Sequence, residues 1–414
     1  MANTLSVLDM IAKEALSVAH ETATFIGTTD LQYDAQFKTN PWKTGDTLRV
    51  ANPNKYTRRQ GSRVMDVQDT TETTQNITVA TQDGVDMRFN SAELTLDTNN
   101  PKEVGAFSKK YIVPAISTLV SGIEADYLAA STKATYQMVG TAGTAMTTLA
   151  YPGLARAKMN QQLAPKMDRS IQVDSVTMAG LVNGMSAYFA PSDQIGGQYR
   201  EGLVKRTSMA DYYENERVWT LTNVADIVID TDADATVTDG GTALAFSTLS
   251  DQAQPAGMVF TIAGVYDCHP ETKAAYPHLK QFTIVSMASA SAAAVISPAT
   301  YLTGARKNVC SSTGADLAVT AFNAKTMTPL GLASKSYVQP LMYQKEAFQF
   351  VTADLPIMDD AAKCVRQTMD GLSLRVWMAS DIRNDELLCR IDILYGYAAL
   401  RPEWACRIIG AVGA

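Results

Sequence analysis

The sequence predicts an α+β fold in which one long helix and mixed α/β segments surround an all-β stretch. Three observations predict it. Apolar residues recur at steps of three and four across Val104, Phe107, Tyr111, Ile112, Ile116, Leu119, Val120, Ile123 and Tyr127. Alternating apolar runs occupy the segments near residues 44–90 and the C-terminus. Between them, residues 218–329 are rich in Thr, Val, Ala and Asp, with short strand-like runs separated by turn signals.

At 414 residues, the chain has room for two or three domains. With 46% hydrophobic and 19% charged residues it can build sizeable cores, which excludes wholesale disorder. A net charge of -7 excludes a protein that coats nucleic acid by counterion release, because that requires clustered cations. Aromatics are only 8%, so large apolar anchors are spread thin, as in an extended sheet-rich scaffold. Cys268, Cys310, Cys364, Cys389 and Cys406 are odd in number, widely spaced and free of any C-x-x-C, so buried thiols in a reducing cytosol are expected. No cationic segment followed by an apolar run opens the chain, and no run approaches ~18 apolar residues. A soluble cytoplasmic product is the expectation.

Leu5, Leu8, Ile11, Leu16 and Ala19 fall at helical spacing, with Thr4 or Ser6 as cap. That helix either docks on its own core or serves as an arm that docks on a neighbour. Leu48 and Val50 begin a strand; Ile77 and Val79, then Val85, Met87 and Phe89, alternate on either side of Asp83-Gly84, which reads as a hairpin turn. The intervening NPNKYTRRQGSR is polar, cationic and turn-rich, so it is expected to project as a long loop. Asn100-Pro101-Lys102-Glu103 reads as cap, first-turn proline and capping-box carboxylate of a helix running to about Lys133, bent at Pro114. Ser170–Met178 reads as a strand within a second, α/β layer. The runs VWTLT, DIVID, ALAFSTL, MVFTIAGVY, QFTIVSM and AAAVIS suggest a small inserted barrel or sandwich. Near the end, Cys389, Ile391, Ile393, Tyr395 and Tyr397 share one strand face, with Arg390 and Asp392 on the other.

The chemistry-bearing residues form no catalytic constellation. Cys268, His269 and His278 lack a fourth zinc ligand, and His20 stands alone. Asp230-x-Asp232-x-Asp234 begins like a calcium loop but has Ala235 and Gly241 where that loop needs Gly and Glu. Ser186 lacks the second glycine of a nucleophile elbow, and Asp359-Asp360 reads as a solvated loop pair. No glycine-rich nucleotide motif is present. Asn76 sits in a glycosylation sequon that matters only in a secreted protein. The one cationic cluster is Arg58, Arg59 and Arg63, where a protein partner is favoured over nucleic acid.

Leu388–Trp404, LCRIDILYGYAALRPEW, resembles the closing strand of the major coat proteins of tailed double-stranded DNA bacteriophages. The branch is the one typified by a short-tailed Salmonella phage. GMVFTIAGVYDCHPETK with the later QFTIV and ISP resembles that branch's inserted β-barrel, and Gln344–Pro356 its return from the insert. The resemblance implies the Hong Kong-type capsid fold: N-terminal arm 1–43, extended hairpin loop 44–90, peripheral domain with spine helix 91–148 and first axial part 149–217. The inserted barrel then spans 218–329, and the axial return with closing peripheral strand 330–414. It implies self-assembly into pentamers and hexamers of an icosahedral shell, with scaffolding protein and portal as partners. The shell would enclose double-stranded DNA without reading its sequence, and be built in the bacterial cytoplasm as a virion component. No catalytic residue, metal, cofactor or membrane is implied. Because the family's extended loop reaches over an adjacent subunit, Arg58, Arg59 and Arg63 are expected to pair with a neighbour's acids, with Glu103, Glu124 and Asp126 as candidates. The alternative reading is a β-rich adhesion module forming a discrete small oligomer, or a hydrolase whose site is not visible in the sequence.

Overall fold

The computed structural model describes residues 23–31, 47–59, 61, 63–65, 67–68, 72–90, 111, 113–185, 210–225, 230–233, 235–246, 253–289, 293–358, 363–369 and 372–410. The predicted helix over residues 5–19, His20, the cap at 100–103 with Glu103, Ser186, Asp234 and Asp359-Asp360 lie outside them.

In chain order, α1 (Thr24–Thr28) precedes β1 (Asp30–Leu31), β2 (Thr47–Asn52), β3 (Thr73–Thr78) and β4 (Thr81–Asn90). Next come α2 (Val113–Ala134), β5 (Met138–Val139), α3 (Ala150–Gln161), β6 (Arg169–Val173), α4 (Ser175–Met185), β7 (Asp211–Glu214) and β8 (Thr220–Thr222). Six strands follow: β9 (Gly241–Leu244), β10 (Val259–Cys268), β11 (Ala275–Ser286), β12 (Ala294–Thr300), β13 (Val309–Cys310) and β14 (Met327–Pro329). The chain closes with β15 (Ser336–Val338), β16 (Leu341–Gln344), β17 (Phe348–Ala353), β18 (Lys363–Met369), β19 (Leu372–Asp381), β20 (Glu386–Ala399) and β21 (Ala405–Ile408). Contacts divide it into two compact units: residues 1–50, 74–127 and 348–400, and residues 51–73, 128–347 and 401–414.

The first unit is organised by the 14-residue strand β20. Strand β4 pairs with it from Glu386 to Tyr395, while β19 and then β17 take successive lengths of it. Cys389, Ile391, Ile393 and Tyr395 are buried, as the alternation requires. They face a core that includes Ile116, Leu119, Val120, Ile123 and Tyr127 of α2, with Tyr127 4.7 Å from Phe25 and 5.4 Å from Phe350 between ring centroids. Asp392, on the opposite face, is buried too. Arg375 of β19 grips it with two hydrogen bonds of 3.0 and 2.6 Å, and Gln82 of β4 donates a third at 2.7 Å.

Asp83-Gly84 is not a turn. It lies inside β4, which pairs with β20, whereas β3 pairs with β2. A Cβ at Gly84 would meet Ile391 O at 2.8 Å, so the glycine serves close strand approach rather than a positive φ. Pro114 is the second residue of α2, and the residues before α2 that would show a bend are outside the described set apart from Tyr111.

In the second unit, β5, β21, β16, β6 and β7 form one five-stranded sheet. The strand read over Ser170–Met178 stops at Val173: Asp174 accepts from Thr177 N at 3.1 Å and from Met178 N at 2.9 Å, turning the chain into α4. A second sheet runs β13-β10-β11-β12-β9, with β14 also on β10. Single bridges from Asp230 to Thr326 and from Thr231 to Phe246 link residues beside β14 and β9. This sheet has its own core of Phe246, Phe260, Ile262, Phe282, Ile284 and Phe322, among others. Strand β8, expected to belong to it, pairs instead with β15 outside it.

Candidate functional site

The segment between β2 and β3 is held open by side chains rather than by a backbone ladder. Gln68 accepts from Thr57 N at 2.8 Å and donates to Thr57 O at 2.7 Å, mimicking a strand pair across an 11-residue loop. Arg59 donates to Val64 O and so folds the tip back. Arg58, Arg59 and Arg63 are all exposed, as a projecting loop requires. Sequence reading missed the apolar residues beside them in the chain. Val64 is 76% exposed, Met65 78% and Val67 77%, with Tyr56 at 58%. The signal was present in the short apolar run R-V-M-D-V, which the cations overshadowed. Exposed apolar residues next to arginines are the composition of a protein-binding surface.

The expected acidic partners divide. Asp126 is exposed on α2. Glu124 is not available: it is fully buried and accepts from Thr24 Oγ1 at 2.9 Å and from Phe25 N at 3.1 Å, which anchors α1. An α-helix separates positions 124 and 126 by about 200°, so the two cannot share a face.

The second unit holds two buried polar junctions between the sheet of β9–β14 and the rest of that unit. Arg407, on β21, is fully buried. It donates to Thr135 O at 2.7 Å, Gly257 O at 2.7 Å and Thr283 Oγ1 at 3.0 Å. No carboxylate pairs with it among the described residues, and burial pulls its pKa down to about 9. Gly257, at φ +90°, leaves room for Trp219, whose ring a Cβ would meet at 2.6 Å. At the second junction Asp267 accepts from Lys280 Nζ at 2.8 Å and from Gln162 Nε2 at 2.9 Å. Burial works to raise the Asp267 pKa, but the Lys280 ammonium and nearby His278 outweigh it and hold it at about 2.

Among the described residues no cluster of His, Cys, Asp and Glu could hold a metal ion. Burial, with neighbouring charges, pushes the Cys268 thiol up to about 12, far from a ligating thiolate. His269 Nδ1 instead accepts from Glu271 N and Thr272 N at 3.1 and 3.2 Å, which makes it a turn residue. No described helix is long and apolar enough to cross a membrane.

The family model described as "P22 coat protein - gene protein 5" matches residues 218–410. Over those residues, a little under half of its length, the chain is similar to the P22 coat protein family. The described residues form an α+β fold that is mostly sheet. No curated protein matches the chain. Among solved structures, the chain is similar to one from Mycobacterium phage Che8, with 9% identity, 93% of this chain and 90% of that chain covered, and a TM-score of 0.46. It is also similar to a chain from the capsid of Ralstonia phage GP4, with 6% identity, coverage of 94% and 88%, and a TM-score of 0.46.

Proposed function

We infer that this chain is a major capsid protein with the Hong Kong-type capsid fold, and that it builds the icosahedral shell around a phage double-stranded DNA genome. The match of residues 218–410 to the P22 coat protein family carries this reading. Heterologous contacts that close into rings give pentamers and hexamers, and modest contacts then add over many copies. The loop of residues 53–72 supplies one such contact, with Val64, Met65 and Val67 on a neighbouring copy and Arg58, Arg59 and Arg63 around them. Asp126 remains a partner for the arginines, as does Glu103; Glu124 is withdrawn because it is buried.

In this reading the first compact unit is the peripheral domain, the five-stranded sheet belongs to the axial domain, and the sheet of β9–β14 is the inserted barrel. The bridges through Asp230 and Thr231 support a closed barrel. Assembly runs in the host cytoplasm through a scaffold-assisted procapsid with a portal, and an acidic shell holds DNA without sequence preference. The role is structural, with no catalytic residue assigned. Negative-stain microscopy of the purified chain tests the reading: shells are expected, and a discrete small oligomer at all concentrations would favour an adhesion module instead.

A further inference from the structure

Arg169 opens β6 and is only 4% exposed. Its Nε donates to Pro165 O at 2.7 Å, and its Nη2 to Asn160 Oδ1 at 2.8 Å and Ala164 O at 2.9 Å. These bonds pin the guanidinium, yet its Nη1 is enclosed and has no acceptor among the described residues. Leaving a charged donor unserved costs more than leaving a neutral one, so such a nitrogen calls for an explanation. Arg156 stands one turn before Asn160 on the same face of α3, because residues four apart in a helix are neighbours. It is half-buried and makes no hydrogen bond or ion pair among the described residues. Burial first, and then the charge of Arg156, pull the Arg169 pKa below its ordinary value. Two guanidinium groups thus lie near one another with no carboxylate paired to either among the described residues. Beside them Lys166 is exposed, as are Leu163 at 44% and Met167 at 73%.

We propose that Arg156 and Arg169 form an oxyanion-binding site whose occupant is a side-chain carboxylate of a second copy of this chain. A planar guanidinium pair offers parallel donors that match the two oxygens of a carboxylate. Arg156, unbonded among the described residues and partly exposed, receives the carboxylate, while the enclosed guanidinium of Arg169 adds its positive charge from behind. A protein carboxylate is the favoured source over a nucleic-acid phosphate for two reasons. The chain carries 42 Asp and Glu against 35 Lys and Arg, so every copy presents carboxylates in excess. The flanking Leu163 and Met167 suit a protein surface, with its apolar centre, better than a phosphate backbone. The inference rests on the capsid reading only in supposing that copies touch.

Two measurements test it. Sodium acetate and, separately, inorganic phosphate are titrated into the unassembled chain while the Arg156 and Arg169 Nε–H resonances are followed. Both anions are expected to shift both resonances, and Arg156→Ala to remove the Arg169 shift. No shift with either anion overturns the site. Arg156→Ala, with an unchanged melting temperature, is then expected to raise the concentration needed for DNA-free shells roughly tenfold, the equivalent of one charge-assisted contact. Normal assembly of that variant overturns the assigned occupant, as does a defect that appears only when DNA is present, which would point to phosphate. If the wild-type chain forms no shells, the capsid reading fails, while the acetate shifts still report on the site.

Discussion

Replacing Val64, Met65 and Val67 together with serine should cripple shell formation while leaving the subunit folded. The three side chains are 76, 78 and 77% exposed, so the isolated subunit gains little from them. Full burial of a Val or Met side chain contributes about 1.5–3 kcal/mol. Scaled by those exposures, docking on a neighbour is worth about 1–2 kcal/mol per residue, or about 3–6 kcal/mol per loop. Each arginine–carboxylate pair around them, exposed to solvent and screened by salt, adds only about 0.2–1 kcal/mol. The apolar tip therefore outweighs the charged rim. At 1.4 kcal/mol per decade, its loss weakens each contact roughly a hundredfold or more. Sedimentation velocity over a concentration series, with thermal unfolding by circular dichroism as the folding control, measures both sides of the claim. Shells at the wild-type concentration would refute it. So would a charge-reversal variant that proves worse than the triple serine, since that would invert the ranking of the two terms.

Arg58→Glu with Arg59→Glu should weaken assembly mostly at low salt, because reversal turns attraction into repulsion within a Debye length; a salt-independent defect in light scattering would contradict this. Residues 230–329 expressed alone should give a dispersed amide spectrum, since the sheet of β9–β14 has its own core and β8 is not part of it. Collapsed peaks would mean that the junction residues are needed for folding. Asp267, held at about 2 against ~3.9 unfolded, stabilises the fold above the unfolded value, and the contribution is lost as pH falls from about 5 toward 2. Asp267→Asn should flatten the fall in melting temperature across that window by the equivalent of about 2 kcal/mol. Arg407→Met should lower stability by about 2–4 kcal/mol by orphaning three buried acceptors, as read from denaturant midpoints.

Periodicity made the long elements legible. Cys389, Ile391, Ile393 and Tyr395 of β20 are buried as the alternation assigns them, with Tyr397 half-buried, and Ile116, Leu119, Val120, Ile123 and Tyr127 of α2 are buried as their spacing assigns them. Asp83-Gly84 misled because a hairpin turn and a strand glycine admitting a neighbouring backbone carry the same two letters; only pairing partners decide between them. Asp174 misled differently. A cap five residues into an apolar run ends a strand and starts a helix, and periodicity over nine residues averages across the change. The exposure of the loop's residues was half legible. Its cations suggested an exposed surface and the run R-V-M-D-V carried the apolar signal, but the burial of Glu124 is a three-dimensional fact with no local pattern. Arg407 was invisible for the same reason: its acceptors lie more than 100 residues away in sequence.

Buried polar junctions are a costly way to join a sheet to the layer beneath it. An apolar face would hold the sheet of β9–β14 without desolvating a guanidinium, and burial has pulled Arg407 down to about 9 with no carboxylate to offset it. Yet apolar faces tolerate small rotations, whereas a planar fork bonded to three acceptors does not. Those acceptors come from separate places: Thr135 just after α2, Gly257 before β10, and Thr283 within β11. Any rotation of the sheet moves Gly257 and Thr283 relative to Thr135 and breaks at least one bond. For a lone monomer, fixing that angle has little value. In a closed shell the same angle recurs in every copy, and a small error in one subunit becomes a mismatch at each contact it makes. The stability given up at Arg407 is then consistent with selection for a reproducible subunit shape rather than for the most stable one.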